Sequence, residues 1–268
     1  MKKYFNLLSE KKIKEAEEYR KSLIPKKLIK FIPLTNEDEE NKKRFQTLLN
    51  RNFWFSRADK LNDPYELKCL YVDRAQLIEK GYPDKLLEFF EDFINNRQTQ
   101  YAVASLSAND FNYLPMWAYY TNNYSGYCVE YDVIRPDAVY KVSYEPARIK
   151  IASIIANFYN EFCKMKAAKK PTSSEVEFYA TLIHQQFFMK HESWKHENEF
   201  RIVIPTTADV GENIPLESIG LRTSKIVAGY CCKPHHICEL NKISNSLGCG
   251  NVSVCKISET NYTLVEEI

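Results

Sequence analysis

The stretch ENEFRIVIP, residues 197–205, decides how this chain is read. Two glutamates one residue apart run into an apolar segment rich in β-branched residues and closed by a proline, the pattern of a buried strand. Residues two apart on a strand share a face. Glu197 and Glu199 would therefore point together if the strand begins that early. A carboxylate pair at the mouth of a core strand is expected to be site machinery rather than surface decoration.

Working outward, KLIKFIPL (27–34) and NFWFS (52–56) read as strands around the helix NEDEENKKRFQTLLN (36–50). Asn36 is the expected cap of that helix, with acids in its first turn and Phe45, Leu48 and Leu49 on one face. KLNDPYE (60–66) has Asn-Asp-Pro turn chemistry. Leu86, Leu87, Phe90, Phe93 and Ile94 recur at helical spacing, YAVASLS (101–107) alternates into serines, and LPMWAYYTNN (114–123) is a compact helix. Two strands follow, SGYCVEYDV (125–133) and VYKVSYE (139–145). A helical block is expected over about 146–189, split at Pro171. Strands SKIVAGY (224–230) and NVSVCKI (251–257) enclose a last helix around 235–248. With no regular βαβ rhythm, the expected class is α+β. Residues 1–26 form a helical extension with Ser9 as a cap, and 27–268 a single α+β domain.

Lys and Arg at 37 nearly balance Asp and Glu at 35, and a net charge of +2 commits the chain to neither nucleic acid nor acidic lipid. The lysine-rich start interleaves its acids, as a solvated helix face does. No run approaches the roughly 18–20 apolar residues of a membrane span, and residues 1–12 lack the apolar core of a signal peptide. The eight cysteines do not form a secreted disulfide framework; Cys69, Cys128 and Cys163 read as small buried hydrophobes. A cytoplasmic protein without membrane contact is expected.

Other chemistries fit less well. CCKPHHIC (231–238) offers Cys231, Cys232, His235, His236 and Cys238, but at no zinc-knuckle spacing, so an incidental cluster is expected. His191 and His196 in HESWKH are five apart and fall on different helix faces. No glycine-flanked serine elbow or glycine-rich phosphate loop occurs among the seven glycines. A metal-dependent nuclease would want an E-x-K strand where this chain has Phe200 and Arg201.

What remains is an order: a cation, Lys30, in the first strand; two hydroxyls, Ser105 and Ser107, ending a middle strand; then Glu197 and Glu199. That order resembles the ADP-ribosyltransferases, whose fold of split mixed or antiparallel sheets with surrounding helices holds NAD. The resemblance implies NAD as substrate with no metal. Lys30 would anchor the dinucleotide, Ser105 or Ser107 would support the site, and Glu199 would act on the nicotinamide ribose. Glu197 would orient the attacking nucleophile or recognise the target. The chain departs from that pattern in carrying lysine where arginine or histidine is usual, and SLS where threonine separates the serines.

A second resemblance covers more of the chain. FWFSRADKLNDPYE (53–66), MWAYYTNNYSGYCVEYD (116–132) and WKHENEFRIV (194–203) look like a bacterial family known mainly as a domain of unknown function, some members of which lie near phage-defence loci. Within these motifs, Trp117, Tyr119 and Tyr120 either pack in the core or stack on a nicotinamide or adenine ring. Burial at Glu66 and Glu130 would raise their carboxyls. The leading expectation is NAD-dependent ADP-ribosyl transfer or NAD hydrolysis in a phage-defence or toxin setting. The acceptor is a macromolecule, RNA, DNA or protein, and a neutralising partner would be in keeping with a toxin. The alternatives are a non-catalytic sensor around Trp117 and Glu130, and a metal-dependent nuclease.

Overall fold

A computed structural model describes residues 2–267. The amino-terminal part contains α1 (Lys2–Ser9), α2 (Ile13–Ser22), β1 (Lys27–Ile32), α3 (Asp38–Leu49), β2 (Asn52–Arg57) and β3 (Leu70–Tyr71). Next come α4 (Arg74–Glu79), α5 (Asp84–Asn95), α6 (Arg97–Gln100), β4 (Tyr101–Ser107), α7 (Leu114–Tyr120) and β5 (Tyr127–Val133). The middle continues with β6 (Tyr140–Lys141), β7 (Ser143–Glu145), β8 (Ile149–Lys150), α8 (Ala152–Ala167) and α9 (Ser174–His184). The last part holds β9 (Met189–His191), β10 (Glu199–Pro205), β11 (Gly211–Pro215), β12 (Leu221–Ala228), α10 (Pro234–Leu247), β13 (Ser253–Ile257) and β14 (Leu264–Glu267). The class is α+β, with a mostly antiparallel open sheet and helices around it.

The main sheet runs β11-β2-β4-β1-β5-β12-β13-β14, with β10 on the other edge of β4. β10 pairs with β4 along its whole length, from Glu199 opposite Ser107 to Pro205 opposite Tyr101. The opposite edge of β4 is shared. β2 pairs there at Ala102 and Val103, and β1 only at Ser107, opposite Ile29. The sheet forks along β4, and the candidate site lies in that fork.

Two cores explain why the strands alternate as they do. Leu28, Phe53, Phe55, Val129, Tyr131, Phe200 and Ile202 join one cluster, closed by Leu240 and Ile243 of α10 and flanked by Phe45 of α3. On the other face Ile29, Phe31, Cys128 and Val227 meet Met116 and Trp117 of α7. At 25 cal/mol per Å², burying one such side chain contributes about 1.5–3 kcal/mol, so a one-residue slip of β1 would exchange both faces at once. Gly229 lets the end of β12 press on α7: a Cβ there would stand 2.1 Å from the Tyr124 carbonyl and 3.1 Å from the Trp117 ring. The amino-terminal helices pack Tyr4, Leu8 and Ala16 against Phe178 and Leu182 of α9. Arg20 of α2 lies over the Tyr140 ring, 3.8 Å from its centroid.

Several expectations change. Ser9 ends a helix instead of starting one, its hydroxyl donating to the Asn6 carbonyl. Residue 37, not Asn36, caps α3, because the Asn41 side chain holds Thr35 by both its amide and its carbonyl. The block expected to be helical from 146 begins as strand β8, drawn to β3 by Arg148, whose guanidinium donates to the carbonyls of Lys68 and Leu70. Helix resumes at Ala152 and breaks around Pro171 as expected. It gives way to a 3-10 turn after His184 and to β9 at Met189. Cys69 and Cys128 are buried, but Cys163 is exposed on α8. No helix among the described residues is long and apolar enough to cross a membrane.

Candidate functional site

The chain enters the site through a sharp turn. Residues Glu192–Glu197 form a 3-10 helix, Asn198 takes a left-handed conformation at φ 44°, and β10 starts only at Glu199. Glu197 is thus not a strand residue, and the shared-face argument from strand periodicity does not apply to it. The two carboxylates converge for another reason: both reach the ammonium of Lys190 on β9, at 2.8 Å from Glu197 and 3.5 Å from Glu199.

Behind them lies a buried charge cluster. Arg201, two residues along β10 and fully buried, grips Glu199 with Nε at 2.6 Å from Oε1 and Nη2 at 3.0 Å from Oε2. The same guanidinium meets Glu66, with Nη1 at 2.6 Å from Oε1 and Nη2 at 3.0 Å from Oε2. It also donates to the Phe187 carbonyl at 3.3 Å. Three carboxylates thus face two cations among the described residues, an arrangement that favours one proton held in the cluster.

Burial and charge part the two glutamates of the motif. Burial alone would raise the Glu199 carboxyl, but Arg201 and Lys190 beside it, with hydrogen bonds from Arg201 and Ser105, hold it down at about 2. Glu197 goes the other way: burial and the neighbouring Glu199 raise its carboxyl against the pull of Lys190 and Tyr120. Glu66 is likewise raised by burial, as expected from its sequence neighbours. One carboxylate of the pair is thus held ionised at neutral pH and the other raised above the ordinary carboxylate range, the kind of division that acid–base chemistry uses.

The remaining walls come from the fork. A cavity of 130 Å³ is lined by Ile29, Lys30 and Phe31 of β1 and by Ser105, Leu106 and Ser107 of β4, with Tyr120, Lys190, Glu197 and Glu199 closing it. Lys30 makes no ion pair or hydrogen bond among the described residues, and its ammonium stands 5.2 Å from the Phe53 ring centroid. Burial pushes that ammonium down to about 8, with Glu199 opposing. Ser107 is already engaged: its hydroxyl donates to the Glu197 carbonyl at 2.6 Å and accepts from the Asn109 amide at 3.0 Å, pinning the turn before β10. Ser105 sits opposite Arg201 in the sheet and faces the cavity. The Tyr120 hydroxyl donates to Glu197 Oε1 and accepts from the Asn62 amide at 3.4 Å.

Lys30, Ser105, Ser107, Tyr120, Glu197 and Glu199, all singled out in the sequence, line this one cavity together with Glu66. Trp117 does not. It is fully buried against Phe31, with ring centroids 5.4 Å apart, and its indole nitrogen donates to the Phe111 carbonyl. It is a core residue, with no face for a ligand. Glu130 also lies away from the cavity, pairing with Lys27 and accepting from the Ser224 hydroxyl. Lys190 and Arg201 were not foreseen. Residues 231–238 split between exposed Cys231 and Cys238 and buried Cys232, with the His235 and His236 rings 4.0 Å apart. No three of His, Cys, Asp and Glu among the described residues are placed to hold a metal ion.

Residues 116–202 match the family model described as a protein of unknown function (DUF2971). The match takes in the 116–132 motif and all but the last residue of the 194–203 motif, and with them Tyr120, Lys190, Glu197, Glu199 and Arg201. Lys30, Glu66, Ser105 and Ser107 precede it. No curated protein and no solved structure matches the chain.

Proposed function

We propose that this protein cleaves the nicotinamide–ribose bond of NAD and passes the ADP-ribosyl group to a macromolecular acceptor or to water. The observation that carries the reading is the meeting, in one forked-sheet cavity, of a free ammonium, a serine hydroxyl, an ionised carboxylate and a second carboxyl of raised pKa. It is also what gives weight to an ADP-ribosyltransferase-like fold for these strands.

Each group has a task. Glycosidic cleavage develops positive charge on the ribose, and Glu199, held ionised by Arg201, stabilises charge that exists only in the transition state. Glu197 accepts the proton of the incoming nucleophile. Lys30 offers its ammonium to the pyrophosphate as a point charge, without the fork of an arginine. Ser105 supports Glu199. The cavity of 130 Å³ has room for about four waters at roughly 30 Å³ each, the space of one substituted ring. The nicotinamide end enters, and the rest of the dinucleotide lies outside. Consumption of NAD would suit a toxin or phage-defence role.

One feature favours a second reading. All four carboxylate oxygens of Glu197 and Glu199 already contact Tyr120, Lys190 or Arg201, which also suits a rigid recognition module that performs no chemistry. Calorimetric titration with NAD, divalent ions removed, separates the two. Saturable binding to the wild type and to Glu199→Gln supports the NAD site. No heat at millimolar NAD demotes the transferase below the recognition module.

A further inference from the structure

On the surface next to the cavity, a guanidinium stands over two tyrosine rings that the reaction above does not use. Leu61, Asn62 and Glu66 line the cavity, while Tyr65, in the same short loop, is 57% exposed. The exposed Arg148, just before β8, places its guanidinium 5.8 Å from the centroid of that ring. The same guanidinium is 5.6 Å from the ring centroid of Tyr71 on β3, which is 36% exposed. Three planar groups thus lie together in solvent, one residue along the chain from a wall of the cavity.

The three are held in place by the backbone around them. Arg148 donates to the carbonyls of Lys68 and Leu70 at 2.8 and 2.7 Å. The Tyr65 amide donates to the buried Asp63 carboxylate at 2.9 Å, and Gln98 donates to the carbonyls on either side, those of Pro64 and Glu66. Positive charge is left over. The neighbouring acids in sequence are engaged, Glu66 by Arg201, Asp73 by Lys150 and Glu145 by the Ser143 hydroxyl. Among the described residues no carboxylate pairs with Arg148 or Lys68.

We infer that Tyr65, Arg148 and Tyr71 form a platform for the bases of a single-stranded nucleic acid, and that such a strand is the acceptor brought to the cavity; the acceptor role rests on the NAD reading. Unpaired bases stack on aromatic rings and on guanidinium planes whatever their sequence, and the phosphates seek unneutralised cations. A duplex keeps its bases stacked inside. An acidic peptide would meet the charge of Arg148 and Lys68 but leave the rings unused. In the transfer, the bond from C1′ of the ribose to nicotinamide breaks and its electron pair leaves on nicotinamide. A hydroxyl or amine of the strand forms the new bond to C1′, and its proton passes to Glu197.

The test is fluorescence anisotropy with labelled RNA and DNA strands of mixed sequence, about 12 nucleotides long, against the matching duplexes and polyglutamate. Wild type, Tyr65→Ala and Tyr65→Phe are compared, with Tyr262→Ala, a fully exposed tyrosine between β13 and β14, as control. The Tyr65 hydroxyl makes no hydrogen bond among the described residues, so both Tyr65 variants fold. Loss of one stacking ring weakens single-strand binding about ten-fold; phenylalanine restores it, and Tyr262→Ala leaves it unchanged. Equal binding by Tyr65→Ala, no single-strand binding by the wild type, or duplex or polyglutamate binding as tightly as the single strand would each overturn the platform. Release of nicotinamide from NAD, measured on the same proteins, keeps the two readings apart. Release with Tyr65→Ala binding strands as the wild type does sinks the platform alone. The expected binding pattern with no release by the wild type, strand present or absent, upholds the platform and overturns the acceptor role together with the NAD reading.

Discussion

Replacing Arg201 by methionine removes the cation that organises the site. In the wild type this fully buried guanidinium contacts both oxygens of Glu199 and both of Glu66. Breaking a buried pair from one side costs about 3–5 kcal/mol, because the abandoned carboxylates stay desolvated. The Glu199 carboxyl gives a consistent figure: it sits at about 2 against an ordinary 4.5, worth roughly 3 kcal/mol of preference for the ionised form. The sign with pH follows. A depressed carboxyl stabilises the wild type above about 4.5, and that contribution is lost as pH falls toward 2. In Arg201→Met burial dominates, Glu199 and Glu66 rise together, and folding of the variant takes up protons. The stability gap is therefore widest near pH 7 and narrows as pH falls. Urea unfolding at about pH 7 and about pH 4.5 measures it, with Lys242→Met, which breaks an exposed pair with Glu239, as a control expected to change little. A loss below about 1 kcal/mol near pH 7, or a gap that does not change with pH, would refute the cluster's energetics.

Four further outcomes follow from the same geometry. NAD affinity should decline as pH rises through about 8, where Lys30 loses its charge; Lys30→Met should bind more weakly with no such dependence, as titrations across that range would show. In Tyr120→Phe, Glu197 loses a hydrogen bond that lowers its pKa, so the pH at which activity appears should move upward in a pH–rate profile. Ser107→Ala should cost about 1–3 kcal/mol of stability in a urea melt, because the Glu197 carbonyl and the Asn109 amide each lose a buried partner. Trp117→Phe should lower stability by about 1–3 kcal/mol through the lost bond to the Phe111 carbonyl and lost packing, while leaving NAD affinity unchanged.

Much of the architecture was readable because strong periodicity met suitable ends. β1, β4, α7 and β10 fall where the apolar patterns put them, and the order Lys30, Ser105 and Ser107, Glu197 and Glu199 named residues that the fold brings to one cavity wall. Two of the failures share a cause: a side chain's partners lie far away in sequence. Lys190 and Arg201 were not singled out, since nothing local shows that Glu66, over a hundred residues earlier, completes their neutralisation. A charged residue inside the apolar run FRIVI was the available signal for Arg201, because a lone cation in a core strand must be paired. Trp117 could not be placed by composition, as core and ligand-stacking tryptophans look alike until the opposite sheet face is known. Glu197 was reached through a strand argument, although a 3-10 turn and the left-handed Asn198 bring it there.

The central claim is that Glu199 works on NAD, and release of free nicotinamide tests it most directly. Wild type and Glu199→Gln are incubated with NAD, with and without candidate RNA, DNA and protein acceptors, and nicotinamide is quantified by chromatography. The account predicts release by the wild type and a fall of about a hundred-fold or more in Glu199→Gln. Equal rates in the two proteins, or no release by the wild type under any of these conditions, would contradict it.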